Sequence, residues 1–378
     1  MNGGKRASAV AQRLSWIEVG RGLAALSVVF VHYRADRFPT GATPSFFALQ
    51  NLGAHAVEFF FVLSGFIIFH VHGHELGAPH AVKRYAWRRL SRVLPIYWLV
   101  MTGALLFNQT FQNPAYRASI DLVYLARQIL LLPGDFLLIG PAWTLRHELL
   151  FYLMFGLAIL HRWIGLTIFA TWMAAAMAML ALRGLPDGQV TDAAGIFLHH
   201  YNIDFLIGAA IAWCAQRSRI PLAAAVLVAL AAIVLVAGSA IGIDPGVARA
   251  VISKLVFGFT LCACVGLSRG GVRAPGALIL LGGMSYALYI SHETIGVMFR
   301  GGLKRAGLAK WSESDLTLAL GIGIALLCGY VLHRMFERPL LRRLYAVSWA
   351  QPRKIPVAAI SSVPEAEPSN GSAIDPRP

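Results

Sequence analysis

The first apolar stretch of the chain contains three ionisable residues, Glu18, Arg21 and His32. A charged side chain inside a membrane helix costs about 2.5–3.5 kcal/mol on insertion scales, so each is a candidate for function. Eleven residues turn a helix through about 1100°, so Arg21 and His32 lie on one face, about 16 Å apart along the axis. The same residues also fit a structural ion pair between Glu18 and Arg21 with an interfacial His32.

A second polar cluster occupies residues 143–148, of sequence WTLRHE, at the start of another apolar stretch. If that helix begins at the outer face of the membrane, Glu148 lies about two turns into it, at a depth similar to that of His32. A carboxylate beside an imidazole holds its tautomer and stabilises its cation, as a general base at neutral pH requires. We therefore predict that His32 is a general base and that Glu148 assists it.

A third cluster is basic and lies at the opposite face of the membrane. Its members are Lys83, Arg84, Arg88, Arg89 and Arg92. Arg89 and Arg92, three residues apart, point the same way on a helix. The cluster fits the preference of basic side chains for the cytoplasmic face and for anionic lipid. It fits equally the binding of a cytosolic polyphosphate, because guanidinium groups bind phosphate in a bidentate manner.

The elements that position these clusters are membrane helices, as the composition indicates. Of the 378 residues, 57% are hydrophobic and 13% are charged, whereas a soluble domain carries roughly 25% charged residues. A soluble enzyme and a disordered chain are therefore excluded. Four cysteines are too few for a disulfide-rich secreted fold. The net charge of +15 then indicates basic cytoplasmic loops, with no nucleic-acid partner.

Ten stretches approach the roughly 20 apolar residues that a membrane helix needs. They cover residues 16–33, 54–71, 93–116, 142–160, 163–182, 193–213, 220–243, 250–267, 277–298 and 316–335. The sequence thus predicts an all-α, polytopic membrane protein of about ten transmembrane helices. Residues 122–132, between the third and fourth stretches, are predicted to be re-entrant or interfacial.

The distribution of basic residues predicts the orientation of the chain. With the N-terminus in the cytoplasm, about twice as many Lys and Arg residues lie inside as outside, so both termini are predicted to be cytoplasmic. We expect a cytoplasmic segment at 1–15 and a transmembrane domain at 16–345. Residues 346–378 are rich in Pro, Ser, Ala and Glu, which predicts a disordered cytoplasmic tail.

Other polar residues have simpler explanations. Four histidines between residues 70 and 80 lack a carboxylate frame, so no metal site is predicted. Lys254 and Asp204 are candidates for an ion pair within the helix bundle, because an isolated charge there would be costly. The polar residues of 285–293 fit either helix packing or an acceptor-sugar groove.

Five motifs, in this order along the chain, resemble those of the integral-membrane acyltransferase family 3. They are Glu18-Val19-Gly20-Arg21 followed after ten residues by His32, FFVLSGF at 60–66, RLSRVLPIY at 89–97, Trp143-Thr144-Leu145 ahead of Glu148 and Phe151-Tyr152, and FERPL at 336–340. The resemblance runs from about residue 14 to 345. Members of that family O-acylate bacterial exopolysaccharides, lipopolysaccharide O-antigens, Nod factors and related glycans.

The resemblance implies roles for the matching residues. His32 and Glu148 would be catalytic. The acyl-coenzyme A donor would bind at Arg89, Arg92 and Arg21, and supporting roles would fall to Glu18, Ser64, Trp143 and Tyr152. Two departures from the family pattern concern Glu18, where the family usually has Asp, and the pair Arg146-His147, where small or polar residues are commoner.

The function implied by the resemblance is that of an O-acetyltransferase, EC 2.3.1.-, in the bacterial inner membrane. It would take an acetyl group from cytosolic acetyl-coenzyme A, used as a co-substrate with no bound cofactor, to a hydroxyl of a glycan or lipid-linked sugar. Membrane lipids would surround it, and a homodimer is compatible with the sequence. The buried charges also fit a transporter or flippase for a glycan or small anion, and a non-catalytic scaffold of an export complex is a third alternative.

Overall fold

The computed structural model describes residues 15–35, 44–111, 120–134, 137–186, 190–240, 245–308 and 314–347. All regular secondary structure in these ranges is helical, as the sequence predicts. The predicted N-terminal cytoplasmic segment lies outside the described residues except for Ser15. The predicted tail lies outside them beyond residue 347.

The described ranges contain fourteen α-helices. They are α1 (Ser15–Ala35), α2 (Pro44–His72), α3 (Val82–Phe111), α4 (Leu122–Leu130), α5 (Trp143–Leu160), α6 (Arg162–Arg183), α7 (Ala193–Leu198), α8 (Asn202–Gln216), α9 (Ile220–Ala240), α10 (Pro245–Arg269), α11 (Gly276–Gly283), α12 (Ser285–Arg305), α13 (Asp315–Leu332) and α14 (Arg338–Tyr345). A π-helical turn, His333–Glu337, joins α13 to α14. Each of the ten predicted stretches overlaps one or two of these helices.

Six helical stretches of the described residues are long and apolar enough to cross a membrane. They are His55–Glu75, Pro79–Thr110, Gly140–Leu160, Arg162–Arg183, Gly246–Arg269 and Asp315–Tyr345. The chain is therefore a helical membrane protein. The helices α1 and α12 are not among the six, and both are rich in polar residues. A total of ten spans and the cytoplasmic placement of both termini stay predictions.

Two of the predicted stretches are interrupted by irregular backbone. The sequence predicts one helix over 193–213, but α7 and α8 are separated by extended backbone at His199. The side-chain amide of Asn202 donates to the carbonyls of Ile196 and Phe197, each at 2.9 Å. These bonds satisfy backbone groups that the interruption leaves free, which is the condition for irregular backbone at membrane depth. The ninth predicted stretch is likewise divided, between α11 and α12.

The helices α1 and α2 form the centre of the bundle. The second packs against α1, α8 and α10, and the first also packs against α11 and α12. The contact between α2 and α8 is a close approach of backbones. A Cβ added at Gly65 would lie 2.1 Å from the carbonyl oxygen of Phe205, and one added at Gly208 would lie 1.8 Å from that of Val62. Only glycine allows this separation, so the glycine of the FFVLSGF motif positions the helix on which Ser64 lies.

A buried ion cluster joins α2, α8 and α10. The ammonium of Lys254 lies 3.0 Å from Asp204 Oδ2, which confirms the pair suggested by the sequence. It also lies 2.9 Å from Glu58 Oε2, a partner that the sequence analysis missed. All three side chains are buried, and the hydroxyl of Ser253 donates to Glu58 as well. Because removing one member would leave an uncompensated buried charge, the cluster fixes the relative positions of three helices.

Candidate functional site

A cavity of about 540 Å³ lies between α1, α2, α3, α5 and α12. Its wall on α2 runs from Val57 to His72, which is about 22 Å along the helix axis. The volume falls within the roughly 300–1,000 Å³ typical of small-molecule sites. Of the nine residues to which the resemblance gave site roles, seven line it, namely Glu18, Arg21, Ser64, Arg89, Arg92, Glu148 and Tyr152.

The carboxylate of Glu148 receives two hydroxyl donors inside the cavity. Ser64 Oγ on α2 donates to Glu148 Oε1 at 3.2 Å. The hydroxyl of Tyr152, one turn further along α5, donates to the same oxygen. The other oxygen, Oε2, accepts no hydrogen bond from the described residues. The structure therefore brings together three of the predicted residues at the cavity wall, and one carboxylate oxygen of Glu148 has no hydrogen-bond donor among the described residues.

Arg21 is paired within its own helix. Its Nη1 lies 3.0 Å from Glu18 Oε2, three residues earlier on α1. Its Nη2 donates to Ser285 Oγ of α12 at 3.1 Å. The structural pair considered from the sequence is thus present, and it forms part of the cavity wall.

Arg92 is paired with a residue far away in the sequence. Its Nη1 lies 2.9 Å from Oε1 of Glu337, which is fully buried in the π-helical turn. The second oxygen of Glu337 accepts a hydrogen bond from His333 Nδ1 at 2.7 Å. π-Helical turns commonly occur at functional sites, and the buried carboxylate of this turn pairs with an arginine of the cavity wall.

Arg88 and Arg89 line the same cavity without a carboxylate partner. No ion pair joins either guanidinium to a described acidic residue. Both Nε atoms are buried, and neither makes a hydrogen bond within the described part of the chain. The Arg88 guanidinium lies 5.4 Å from the centre of the Tyr345 ring, a contact that does not neutralise its charge.

His32 lies on α1 outside this cavity, and its side chain is exposed. Its Nδ1 is 2.9 Å from the carbonyl oxygen of Val28. Because a carbonyl only accepts, Nδ1 carries the hydrogen, and the lone pair is left on Nε2. The imidazole ring also packs edge-on against His292, with ring centroids 4.9 Å apart. His32 thus has the tautomer and the exposure that a general base requires.

His32 and Glu148 share no hydrogen bond in the structure. A row of aromatic contacts connects the cavity with His32 instead. Phe60 and Tyr289, which both line the cavity, have ring centroids 5.5 Å apart. The Tyr289 ring lies 5.9 Å from that of His292, which in turn contacts His32. The expectation that Glu148 assists His32 directly is therefore not matched by a contact between them.

Three residues of the second polar cluster, Trp143, Arg146 and His147, do not line the cavity. Trp143 packs against Phe61, with ring centroids 6.3 Å apart. Arg146 donates to the carbonyl of Leu132 at 2.7 Å, and His147 Nδ1 donates to Asn202 at 3.0 Å. These contacts anchor the chain around α5, and they account for the unusual pair that precedes Glu148.

Several cavity residues were missed as site residues by the sequence analysis. Ser285 and Tyr289 line the cavity and belong to the polar stretch 285–293, for which the sequence left open either helix packing or an acceptor-sugar groove. Glu337 of the FERPL motif does not itself line the cavity, but it pairs with Arg92 of the cavity wall, and the sequence carries no signal of that pairing. Within the described residues, no group of three or more His, Cys, Asp or Glu side chains is placed to hold a metal ion.

Comparison with known proteins gives two matches. Residues 14–334 match the family model of the acyltransferase domain, acyltransferase family 3. The chain is also 27% identical over 314 residues to the exopolysaccharide production protein ExoZ of Rhizobium meliloti (strain 1021). That alignment covers 78% of this chain and 91% of the relative. No solved structure matches the chain significantly.

Proposed function

Because the chain belongs to acyltransferase family 3, we propose that it is a membrane-embedded O-acetyltransferase acting on a glycan. The donor would be cytosolic acetyl-coenzyme A, and the acceptor a hydroxyl of a cell-surface or lipid-linked glycan. The name of the relative, an exopolysaccharide production protein, supports an exopolysaccharide as the acceptor. Family membership favours this activity over a transporter or flippase.

The observation that carries the proposal is the chemistry of one elongated cavity. Its wall holds several guanidinium groups, which suit the phosphates of coenzyme A. It also holds the carboxylate of Glu148, one oxygen of which has no hydrogen-bond donor among the described residues. A wall of about 22 Å along α2 suits a donor with a long flexible arm between its phosphates and its thioester.

The reaction requires a base for the acceptor and a path for the acyl group. The acceptor oxygen attacks the thioester carbon, its proton passes to Nε2 of His32, and the carbon–sulfur bond breaks to release coenzyme A. Phe60 and Tyr289 stand between the cavity and His32. Their side chains must move aside during transfer. In this proposal Glu148 lies on the side of these rings where the acyl donor binds, and His32 lies on the side where the acceptor glycan binds.

The proposed location is the bacterial inner membrane, with the arginine-lined part of the cavity toward the cytoplasm. The basic residues of the chain favour that orientation. It would give the cavity direct access to cytosolic acetyl-coenzyme A while His32 faces the opposite side.

The test is release of coenzyme A from acetyl-coenzyme A by the purified protein, with and without host glycans. We expect glycan-dependent release by the wild type and at least a 100-fold lower rate for His32→Ala, since general base catalysis contributes about 10²–10⁴-fold. His80→Ala is the matched control, because His80 is exposed and lies outside the cavity. Acetylated glycan is identified by mass spectrometry.

One outcome would overturn the proposal, and another would overturn only the role of His32 in it. Absence of acetylated glycan with the wild type, together with glycan or anion flux in liposomes, would establish a transporter. Equal rates for the wild type and His32→Ala would keep the transferase and remove His32 from its chemistry.

A further inference from the structure

The four arginines of the cavity wall do not carry equivalent charges. Arg21 is neutralised by Glu18, and Arg92 is neutralised by Glu337. Glu337 is fully buried, and its other oxygen is held by His333. A phosphate that drew Arg92 away would leave this carboxylate buried without its cation, which is strongly unfavourable.

Arg88 and Arg89 differ from the other two in both charge and hydrogen bonding. Neither has an acidic partner among the described residues. Their Nε–H groups are buried and have no acceptor in the same part of the chain. An uncompensated guanidinium group on the wall of a cavity inside an apolar bundle is costly, and an anionic ligand in the cavity would supply the missing countercharge.

We infer that Arg88 and Arg89, and not Arg92, hold a phosphate or diphosphate group in this cavity. Each guanidinium offers a planar fork of N–H donors that matches two phosphate oxygens. Arg92 and Glu337 instead form a fixed wall that links α3 to the π-helical turn. The proposed binding pair therefore includes Arg88, which precedes the RLSRVLPIY motif of residues 89–97, and excludes Arg92, the second arginine of that motif.

The source of the phosphate is a separate question from the site itself. Its identification with coenzyme A rests on the proposed function. The phosphate headgroup of an anionic lipid has the same chemistry, so the test needs a separate measurement for each source.

The test is the affinity of the full-length protein, in nanodiscs of neutral lipid, for coenzyme A and for S-acetylpantetheine, which has no phosphate. We expect Arg88→Ala and Arg89→Ala each to weaken coenzyme A binding at least tenfold and to leave S-acetylpantetheine binding unchanged. Lys83→Ala is the matched control, because it removes a cation from the same end of α3 outside the cavity. The double variant Arg92→Gln, Glu337→Gln should change coenzyme A affinity less than threefold.

A second measurement follows binding of a fluorescent phosphatidate. If the Arg88 and Arg89 variants lose phosphatidate and keep coenzyme A, the phosphate site stands and its ligand is a lipid. If they bind both ligands as the wild type does, the inference is overturned. A tenfold loss in the Arg92 and Glu337 double variant would also overturn it.

Two controls separate this inference from folding and from the proposed function. Thermal unfolding midpoints identify any alanine variant that fails to fold, and Arg88→Lys and Arg89→Lys then replace it. These variants keep the charge without the fork, so we expect a loss of affinity smaller than that of alanine. Binding is measured without an acceptor. Arginine-dependent binding without glycan acetylation would therefore reject the proposed function alone.

Discussion

At the scale of single residues, Glu148 is the group whose surroundings are best defined. Ser64 and Tyr152 both donate to Oε1, and Oε2 accepts no hydrogen bond from the described residues. The two donors hold the carboxyl group in a defined position on the cavity wall.

This arrangement predicts the effect of Glu148→Gln. The amide keeps the shape of the side chain and an oxygen that can accept from Ser64 and Tyr152, but it removes the charge. We expect the rate of glycan acetylation to fall about 100-fold, as for loss of an acid–base group, with the unfolding midpoint unchanged. Initial rates and thermal unfolding measure the two effects. A fully active variant would reduce Glu148 to a residue that shapes the wall.

At the scale of helices, the site depends on the contact between α2 and α8. Ser64 is adjacent to Gly65, whose added Cβ would meet the backbone of Phe205. Gly208 makes the reciprocal contact from α8, and the ion cluster around Lys254 joins the same two helices to α10. The cavity wall on α2 is therefore held in place by backbone packing on its far side.

The prediction at this scale concerns Gly208→Ala. The new Cβ would lie 1.8 Å from the carbonyl oxygen of Val62, so α2 and α8 must separate. We expect a loss of about 1–3 kcal/mol, typical of overpacking, and a lower unfolding midpoint. Gly266→Ala on α10 is the matched control, because its Cβ would have no heavy atom within 4 Å. Equal midpoints for both variants would show that the close contact does not stabilise the fold.

At the scale of the whole molecule, the sequence predicts helices far better than it predicts which of them meet. Apolar stretches are recognisable because the bilayer sets their length, and Glu18 and Arg21 are neighbours within one turn. The pairing of Arg92 with Glu337 spans 245 positions and depends on how the π-helical turn returns to α3. The interruption of α7 and α8 depends on the side chain of Asn202. No local pattern indicates the first of these contacts, and the second depends on a side-chain bond that the apolar pattern of residues 193–213 does not show.

The same limit applies to His32 and Glu148. Similar depth in the membrane was the basis for predicting that they act together, and depth does not specify the direction in which a side chain faces. In the structure Glu148 lines the cavity, whereas His32 lies outside it. The ring of His32 contacts His292, which in turn contacts Tyr289 of the cavity wall.

The aromatic residues between the cavity and His32 also bear on how much acetyl-coenzyme A is lost to hydrolysis. A thioester held near a base is exposed to attack by water, and every such event destroys a cytosolic metabolite without product. We expect Phe60 and Tyr289 to keep water activated at His32 from reaching the cavity, because Tyr289 and His292 connect the cavity wall to His32 through ring contacts. We expect Tyr289→Ala to raise acceptor-independent hydrolysis of acetyl-coenzyme A about tenfold, with Tyr330→Ala, outside the cavity, as the control. An unchanged hydrolysis rate would mean that the ring of Tyr289 does not protect the thioester from water.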